Sequence, residues 1–243
     1  MNPRDIELAT IRTWPAAVTE ERNGWLHLAA GGVTGRVNAV WPLAWRGGDV
    51  DAAIDDAEAW YAARNLPARF KLTDGAVAPG DLAEALARRG YQAVSPTLIM
   101  TAPITPREAH VEVALTGSMG QAFDDAIRAT SKDESEYDER HSIAVRAPQP
   151  AAFATIEREG RVAAIGMTAV TGELAGVFLM RTTPQARRQG LARRILSALL
   201  SQAHRWGART AFLQVEADNA PAIGLYESEG FARLSTYRFW RKP

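Results

Sequence analysis

The sequence predicts a mixed α/β fold, one sheet flanked by helices. Three observations predict it. Between Pro150 and Met180, three apolar runs are separated by turn signals at Arg158 to Gly160 and Thr171 to Glu173, the pattern of an antiparallel meander. Behind them a helical apolar pattern starts after Gly190, then strand-like "TAFLQVEA", helical "NAPAIGLYESEG" and strand-like "FARLSTYRFW" follow in turn. Such alternation requires some parallel pairing. Before residue 105, helical and strand-like runs alternate again.

Taken in order, "GWLHLAAGGVTGRVNAVWPL" reads as two or three short strands joined by Gly-rich turns. Trp14, Trp25, Trp41, Trp45 and Trp60 cluster here and are read as core and interdomain packing rather than a binding platform. "DVDAAIDDAEAWYAARNLP" is an amphipathic helix capped by Asp49 or Asp51, with Ile54, Ala57, Trp60 and Tyr61 on one face. "ARFKLT" is a strand. "PGDLAEALARRGY" is a helix opened by Pro79 and Asp81 and stopped by Gly90. "TLIMTAP" is a strand, and the Pro-punctuated stretch at residues 102–108 is read as a linker. A strand is expected in "HVEVALT" and a helix in "SMGQAFDDAIRAT". The acidic "SKDESEYDERHS" continues it, with a second helix as one option.

Composition narrows the function. Of 243 residues, 47% are apolar and 23% charged, with 28 Lys plus Arg against 28 Asp plus Glu and no cysteine. A neutral chain argues against bulk nucleic-acid binding. The missing cysteines exclude disulfides, thiol catalysis and Cys-ligated zinc. The opening "MNPRDIELATIRTWP" carries Arg4, Asp5 and Glu7 and has no apolar signal-peptide core. No apolar run reaches the ~18 residues of a membrane span, so a cytoplasmic protein with no membrane partner is expected. The four histidines show no ligand spacing, and no metal is expected. G-x-x-x-x-G-K-[ST], G-x-G-x-x-G and G-x-S-x-G are all absent.

"RRQGLARR", Arg187 to Arg194, is the stretch richest in chemistry. Ala192, Ile195, Leu196, Leu199, Ala203 and Trp206 share one helical face and Gly207 ends the pattern, so the first turn lies at residues 188–192. That turn offers unpaired N–H groups and the positive end of the helix dipole. Gly190 carries no side chain to keep a phosphate off the backbone, and the arginines add electrostatic support. The pattern R-x-x-G-x-A, at Arg187, Gly190 and Ala192, is followed in register by Asn219, Tyr226 and Gly230-Phe231.

These two motifs, "RTTPQARRQGLARRIL" and "NAPAIGLYESEGF", closely resemble the pyrophosphate-binding motif and following signature of the GCN5-related N-acetyltransferase family. The resemblance covers roughly residues 110–240. It implies a mixed sheet splayed open at two parallel strands, with acetyl-CoA in the splay. It also implies that the backbone of Met180, Arg181 and Thr182 faces the pantetheine arm. Arg187, Arg188, Gln189, Gly190, Leu191, Ala192 and Arg193 would form the pyrophosphate loop, and Asn219 would touch the cofactor arm. The "LAEALARRGYQAVSPTLIM" run has the same helix-Gly-aromatic-strand finish without the loop. This resemblance implies two such domains in tandem: residues 1–105 as a degenerate copy, or alternatively an unrelated α/β accessory domain, and residues 106–243 as the catalytic one.

The chemistry is then direct acetyl transfer from acetyl-CoA to an amine of a small molecule or peptide. By the resemblance Tyr226 lies near the thioester sulfur, where its phenol would serve as general acid; a core tyrosine is the alternative. Many relatives that acetylate ribosomal protein carry Glu five residues before the Asn; here that position is Gln214. Glu216 falls on the same strand face and is the substitute base, with Glu173, Glu136 and His141 as other options. Asn219 would also cap its helix. Asn38 is expected to orient the acceptor, and "DESEYDERH" to offer an acidic rim for a cationic amine or simply a solvated face. The acceptor is not identified and a homodimer is one option. The alternative function is a CoA-binding sensor without turnover.

Overall fold

The computed structural model describes residues 1–106 and 111–243. The chain opens with helix α1 (Pro3–Thr13), capped by Asn2, whose side chain accepts from the Arg4 amide at 3.0 Å. Then come β1 (Val18–Arg22), β2 (Trp25–Ala29), β3 (Val40–Trp41), α2 (Val50–Ala62), β4 (Arg69–Thr73), α3 (Leu82–Arg88) and β5 (Gln92–Pro103). The second part supplies β6 (Ala114–Thr116), α4 (Gln121–Ala129), α5 (Glu134–Arg146), β7 (Ala151–Arg158), β8 (Arg161–Thr171) and β9 (Leu174–Thr182). It ends with α6 (Leu191–Arg205), β10 (Thr210–Glu216), α7 (Ala220–Ser228) and β11 (Ala232–Arg241).

Local signals explain most boundaries. Asp49 caps α2 by accepting from the Asp51 amide at 2.9 Å. The β7–β8 and β8–β9 turns fall at Glu159-Gly160 and Gly172, all with positive φ. The acidic run is a helix, α5, because Asp133 accepts from the Glu136 amide at 2.9 Å and caps it. Two expectations need correction. α1 was not foreseen, because its buried positions include Glu7, Thr10 and Thr13 beside Ile6 and Ala9, so its apolar stripe is thin. The strand expected over "HVEVALT" shortens to β6, with Val111 and Glu112 outside it. Arg107 to His110, which include the end of the expected linker and the start of that strand, lie outside the described residues.

The strands form one sheet in the order β1-β2-β3-β4-β11-β5-β10-β9-β8-β7-β6. Pairing is antiparallel except for β3–β4 and β9–β10. The chain runs twice through a related scheme: antiparallel pairings, two in the first part and three in the second, then one parallel pairing, a helix and a final strand. Each final strand crosses over. β5 pairs with β10, β11 pairs with β4, and the two pair with each other.

Alternation divides the side chains between two faces. On one face Phe153, Ile165, Phe178, Phe212 and Trp41 share a core with residues of α1, α4 and α5. On the other, Ala211 and Leu213 pack with α6, while Val40 and Phe70 pack with α2 and α3. α1 is tied to the sheet by a fully buried ion pair between Glu7 and Lys71 of β4. Glu7 also accepts from Thr73, and the Lys71 ammonium lies 3.9 Å from the Trp41 ring centroid and 3.8 Å from that of Tyr237. Burial pulls the Lys71 amine down to about 8 against the opposing pull of Glu7. His27 is also buried, stacked among Trp60 and Tyr61 with both ring nitrogens unpartnered, and burial lowers its pKa.

Two outcomes are expected. Glu7→Leu strands a buried ammonium and should lower the unfolding free energy by about 3–5 kcal/mol in a urea titration. Adding Lys71→Met should recover most of that loss; no recovery would mean the pair's charges are not what matters. For His27 the unfolded chain titrates near ~6.5 and the folded chain lower. The unfolded state therefore binds the extra proton between those values, and stability falls as pH drops below ~6.5 until the folded pKa is passed. Tm measured from pH 7.5 downward should show this slope, and His27→Phe should reduce it.

Candidate active site

β9 and β10 pair in parallel only at Leu174↔Thr210, Ala175↔Ala211 and Gly176↔Phe212. Beyond these pairs they part. A Cβ on Gly176 would stand 2.5 Å from the Phe178 ring and 2.8 Å from Phe212, so only glycine lets these rings fill the fork. Phe178 stacks on Trp14 at 5.0 Å and meets Phe212 edge-on at 6.2 Å. Leu179 then takes φ 51°, and the β8–β9 register shifts between Ile165 and Met167. Gly166 opposite has no side chain, and a Cβ there would fall 2.5 Å from Met180 Sδ. The β9 edge before Met180 is thus a bulge, with Gly166 making room for the Met180 side chain. The β9 edge facing the fork has backbone groups with no strand partner.

A cavity of about 790 Å³ opens on the α6 and α7 side of the fork. Met180, Arg181, Thr182, Arg187, Arg188, Gly190, Leu191, Ala192, Arg193 and Asn219 all line it. Of the residues expected to hold a cofactor, Gln189 is left out; it is exposed and its side chain donates to the Gln185 carbonyl at 3.3 Å. Gly190 is the N-cap of α6 with φ 73°, no side chain caps the helix, and nothing lies within 4 Å of where its Cβ would be. The first-turn amides therefore face open space. The arginines divide. Arg187 and Arg188 have no ion pair among the described residues. Arg193 Nε meets Glu229 at 2.7 Å and its Nη2 donates to Ser228 at 2.8 Å, while Arg194 pairs with Glu112. Arg193 thus has two of its three guanidinium nitrogens engaged.

A second cavity of about 450 Å³ lies on the opposite face, with Trp14 and Phe178 in its wall. The two cavities share Met180, Arg181, Asn219, Ala222 and Tyr226. Tyr226 is 8% exposed, and burial pushes its phenol up to about 12, so it stays protonated. Its hydroxyl has no hydrogen-bond partner among the described residues. Asn219 does cap α7, accepting from the Ala222 amide at 3.3 Å, while lining both cavities.

The candidate bases separate in space. Glu216 lines the second cavity, on the face of β10 that also carries Gln214. Gln214 donates to Thr10 of α1 at 3.1 Å, and its Oε1 is buried without a partner. Glu136 lines the cavity too, but its carboxylate meets Arg140 at 2.7 Å and accepts from the Lys132 amide at 2.7 Å. His141 is engaged with Asp124 at 2.7 Å and Glu173 sits at the far end of β9 from Met180; neither lines the cavity.

Asn38 does not orient a ligand. It is 2% exposed and accepts from the Ala30 and Gly32 amides while donating to the Thr34 carbonyl and Glu139. From the same "GRVN" segment it is Arg36 that reaches the cavity. The acidic rim is also corrected. Glu139 is spent on the Val33 and Thr34 amides and Glu134 on Arg128, while Lys132 and Arg140 face the cavity. Sequence reasoning missed these basic residues and Trp14, because each lies in a different segment with no shared motif. Among the described residues, no cluster of His, Asp or Glu could hold a metal, and no helix is long and apolar enough to cross a membrane.

Comparison with known proteins agrees with this geometry. A family model described as "Probable histone acetyltransferase Rv0428c C-terminal" matches residues 2–240. "Uncharacterized N-acetyltransferase YobR" of Bacillus subtilis (strain 168) is 28% identical over 97% of each chain. The "[Ribosomal protein bS18]-alanine N-acetyltransferase" of Escherichia coli (strain K12) is 40% identical over 83 residues, which are 34% of this chain and 56% of that protein. Among solved structures, a "GCN5-related N-acetyltransferase from Kribbella flavida" superposes with a TM-score of 0.74 at 17% identity, covering 100% of this chain and 96% of that one. The chain belongs to the family whose model it matches over nearly its whole length, and it is an acetyltransferase of the GCN5-related N-acetyltransferase group.

Proposed function

We propose that the protein binds acetyl-CoA in the larger cavity and transfers its acetyl group directly to an amine held in the smaller one. The observation that carries this reading is the fork. Two cavities on opposite faces of the sheet meet where Met180 and Tyr226 line both. A thioester threaded between β9 and β10 is then reached by an amine from the other side.

The residues divide the work. The open amides of the α6 first turn and the αL backbone at Gly190 hold the pyrophosphate, with Arg187 and Arg188 adding charge. The unpaired β9 edge satisfies the amides of the pantetheine arm. A backbone N–H at the Met180 bulge faces the carbonyl oxygen as negative charge develops there. The amine nitrogen bonds to the carbonyl carbon, its proton passes to Glu216 directly or through water, and the C–S bond breaks. The departing thiolate takes the Tyr226 proton; its raised pKa keeps that proton available at neutral pH.

Gln214, where many relatives of the ribosomal-protein type carry Glu, argues against adopting the substrate named for the Escherichia coli relative. It also favours a second reading, a CoA-binding sensor without turnover. The repeated pairing scheme supports residues 1–105 as a degenerate copy of the catalytic half, residues 106–243.

Acetyl-CoA at a hundred times its Kd should raise stability by about 2.7 kcal/mol in a thermal-shift titration. Gly190→Glu should remove that shift, since it puts a side chain at φ 73° and a negative charge where the pyrophosphate belongs. An unchanged shift would move the site elsewhere. Tyr226→Phe should lower kcat by about 10²-fold with acetyl-CoA affinity kept. Thiol release measured across an amine panel reads this; undiminished turnover would remove Tyr226 from the mechanism, and none in the native protein would leave the sensor.

A further inference from the structure

The smaller cavity continues, away from the fork, into a third cavity of about 410 Å³. The two share Thr34, Arg36, Lys132, Glu136, Arg140, Gln214 and Glu216. The extension adds Arg69 and Arg241, which stand directly opposite each other across β4 and β11. Like charges facing each other on neighbouring strands are unfavourable. Neither arginine has an ion pair among the described residues, and the same holds for Arg36, Lys132 and Arg181. Arg140 alone is paired, with Glu136 at 2.7 Å. Six cations thus line the two cavities against two carboxylates, Glu136 and Glu216. Glu139 lies behind the wall with its oxygens taken by the Val33 and Thr34 amides and by Asn38.

These cations are not all idle surface charges. Arg36, Arg69, Arg140 and Arg181 are partly buried. Burial, with Arg181 and Arg36 nearby, lowers Arg140 to about 10, and burial lowers Arg69 and Arg181 as well. A group of cations that outnumbers its carboxylates six to two has a deficit that a bound anion would make good. The arrangement is also directional. Tyr226 and Met180 border only the end near the fork, Arg69 and Arg241 only the far end, and Glu216 stands between them.

We infer that the acceptor is a small amine carrying a carboxylate or phosphate, its amine toward Tyr226 and Glu216 and its anionic group toward Arg36, Arg69 and Arg241. This rests on the acetyl-transfer reading for the amine end but has a binding test of its own. An acidic rim selecting cationic amines is the opposite expectation, and this charge balance disfavours it.

The test is calorimetric binding to the CoA-saturated protein, followed by turnover with acetyl-CoA. Matched probes are the C-terminal amides of glycyl-glutamate, glycyl-glutamine and glycyl-lysine, and phosphoethanolamine against ethanolamine. Glycyl-glutamate amide or phosphoethanolamine should bind tenfold or more tighter than its counterpart lacking the anionic group, with glycyl-lysine amide weakest of the dipeptides. Whether glycyl-glutamate amide or phosphoethanolamine gains more tells a carboxylate source from a phosphate one. Arg69→Gln with Arg241→Gln should cut this discrimination at least tenfold. Relief of their repulsion means the ligand-free Tm should not fall, which a purely structural role would not give. Equal binding of probes with and without the anionic group, preference for the glycyl-lysine amide, or discrimination unchanged in the double variant overturns the inference. If anionic probes bind but no amine yields thiol, the acetyl-transfer reading fails and the anion site stands.

Discussion

Everything in the site depends on two parallel strands that agree for three residue pairs and then part. Sheets normally keep their ladders, because unpaired backbone groups away from water are costly. Here Gly176 lets the Phe178 and Phe212 rings occupy the point of divergence, and Trp14 stacks on Phe178 from below. The bulge at Leu179 then turns Met180 toward the opening, with Gly166 leaving room for its sulfur. Ring packing and backbone conformation hold the fork open.

The fork works only because both faces of the sheet are covered. α6 and α7 wall the larger cavity; α1, α5 and the segment around Arg36 border the smaller one. α1 is fixed beneath the sheet by three contacts along its length. Glu7 meets Lys71 on β4, Thr10 accepts from Gln214 on β10, and Trp14, just past its end, stacks on Phe178 of β9. The crossover of β5 and β11 has a parallel effect. It inserts each part's last strand into the other's sheet, which carries Arg69 on β4 and Arg241 on β11 to the rim of the cavity that continues from the one at the fork. The first hundred residues therefore build part of the site's wall.

Much of this was legible locally. The meander turns were visible because Gly160 and Gly172 take backbone conformations that other residues avoid, and α6 because its apolar residues recur every three or four positions. The loop at Arg187 to Arg193 could be read as an anion cradle because a glycine before an uncapped amphipathic helix is a short-range arrangement. α1 was hidden because its buried face includes polar side chains, which look solvent-facing until Thr10 is seen bonding to Ile6 and Gln214, and Glu7 to Lys71. Asn38 looked like a free polar group in a glycine-rich loop. Its hydrogen-bond capacity is instead spent holding that loop and Glu139 together.

The sequence by itself determined the fold class, the order of helices and strands after residue 45 apart from α5, and the glycine-and-arginine loop before α6 with Asn219 and Tyr226 in register behind it. These follow from periodicity, capping and turn chemistry, which act over a few residues. Only the tertiary structure decided which arginines are free and which are tied, that Glu136 is engaged while Glu216 is available at the fork, and that the smaller cavity is lined by basic residues. Those properties depend on the distance between charges from residues 36, 69, 132, 140, 181 and 241. Coulombic interaction is set by separation and burial in space, and no spacing along the chain encodes either.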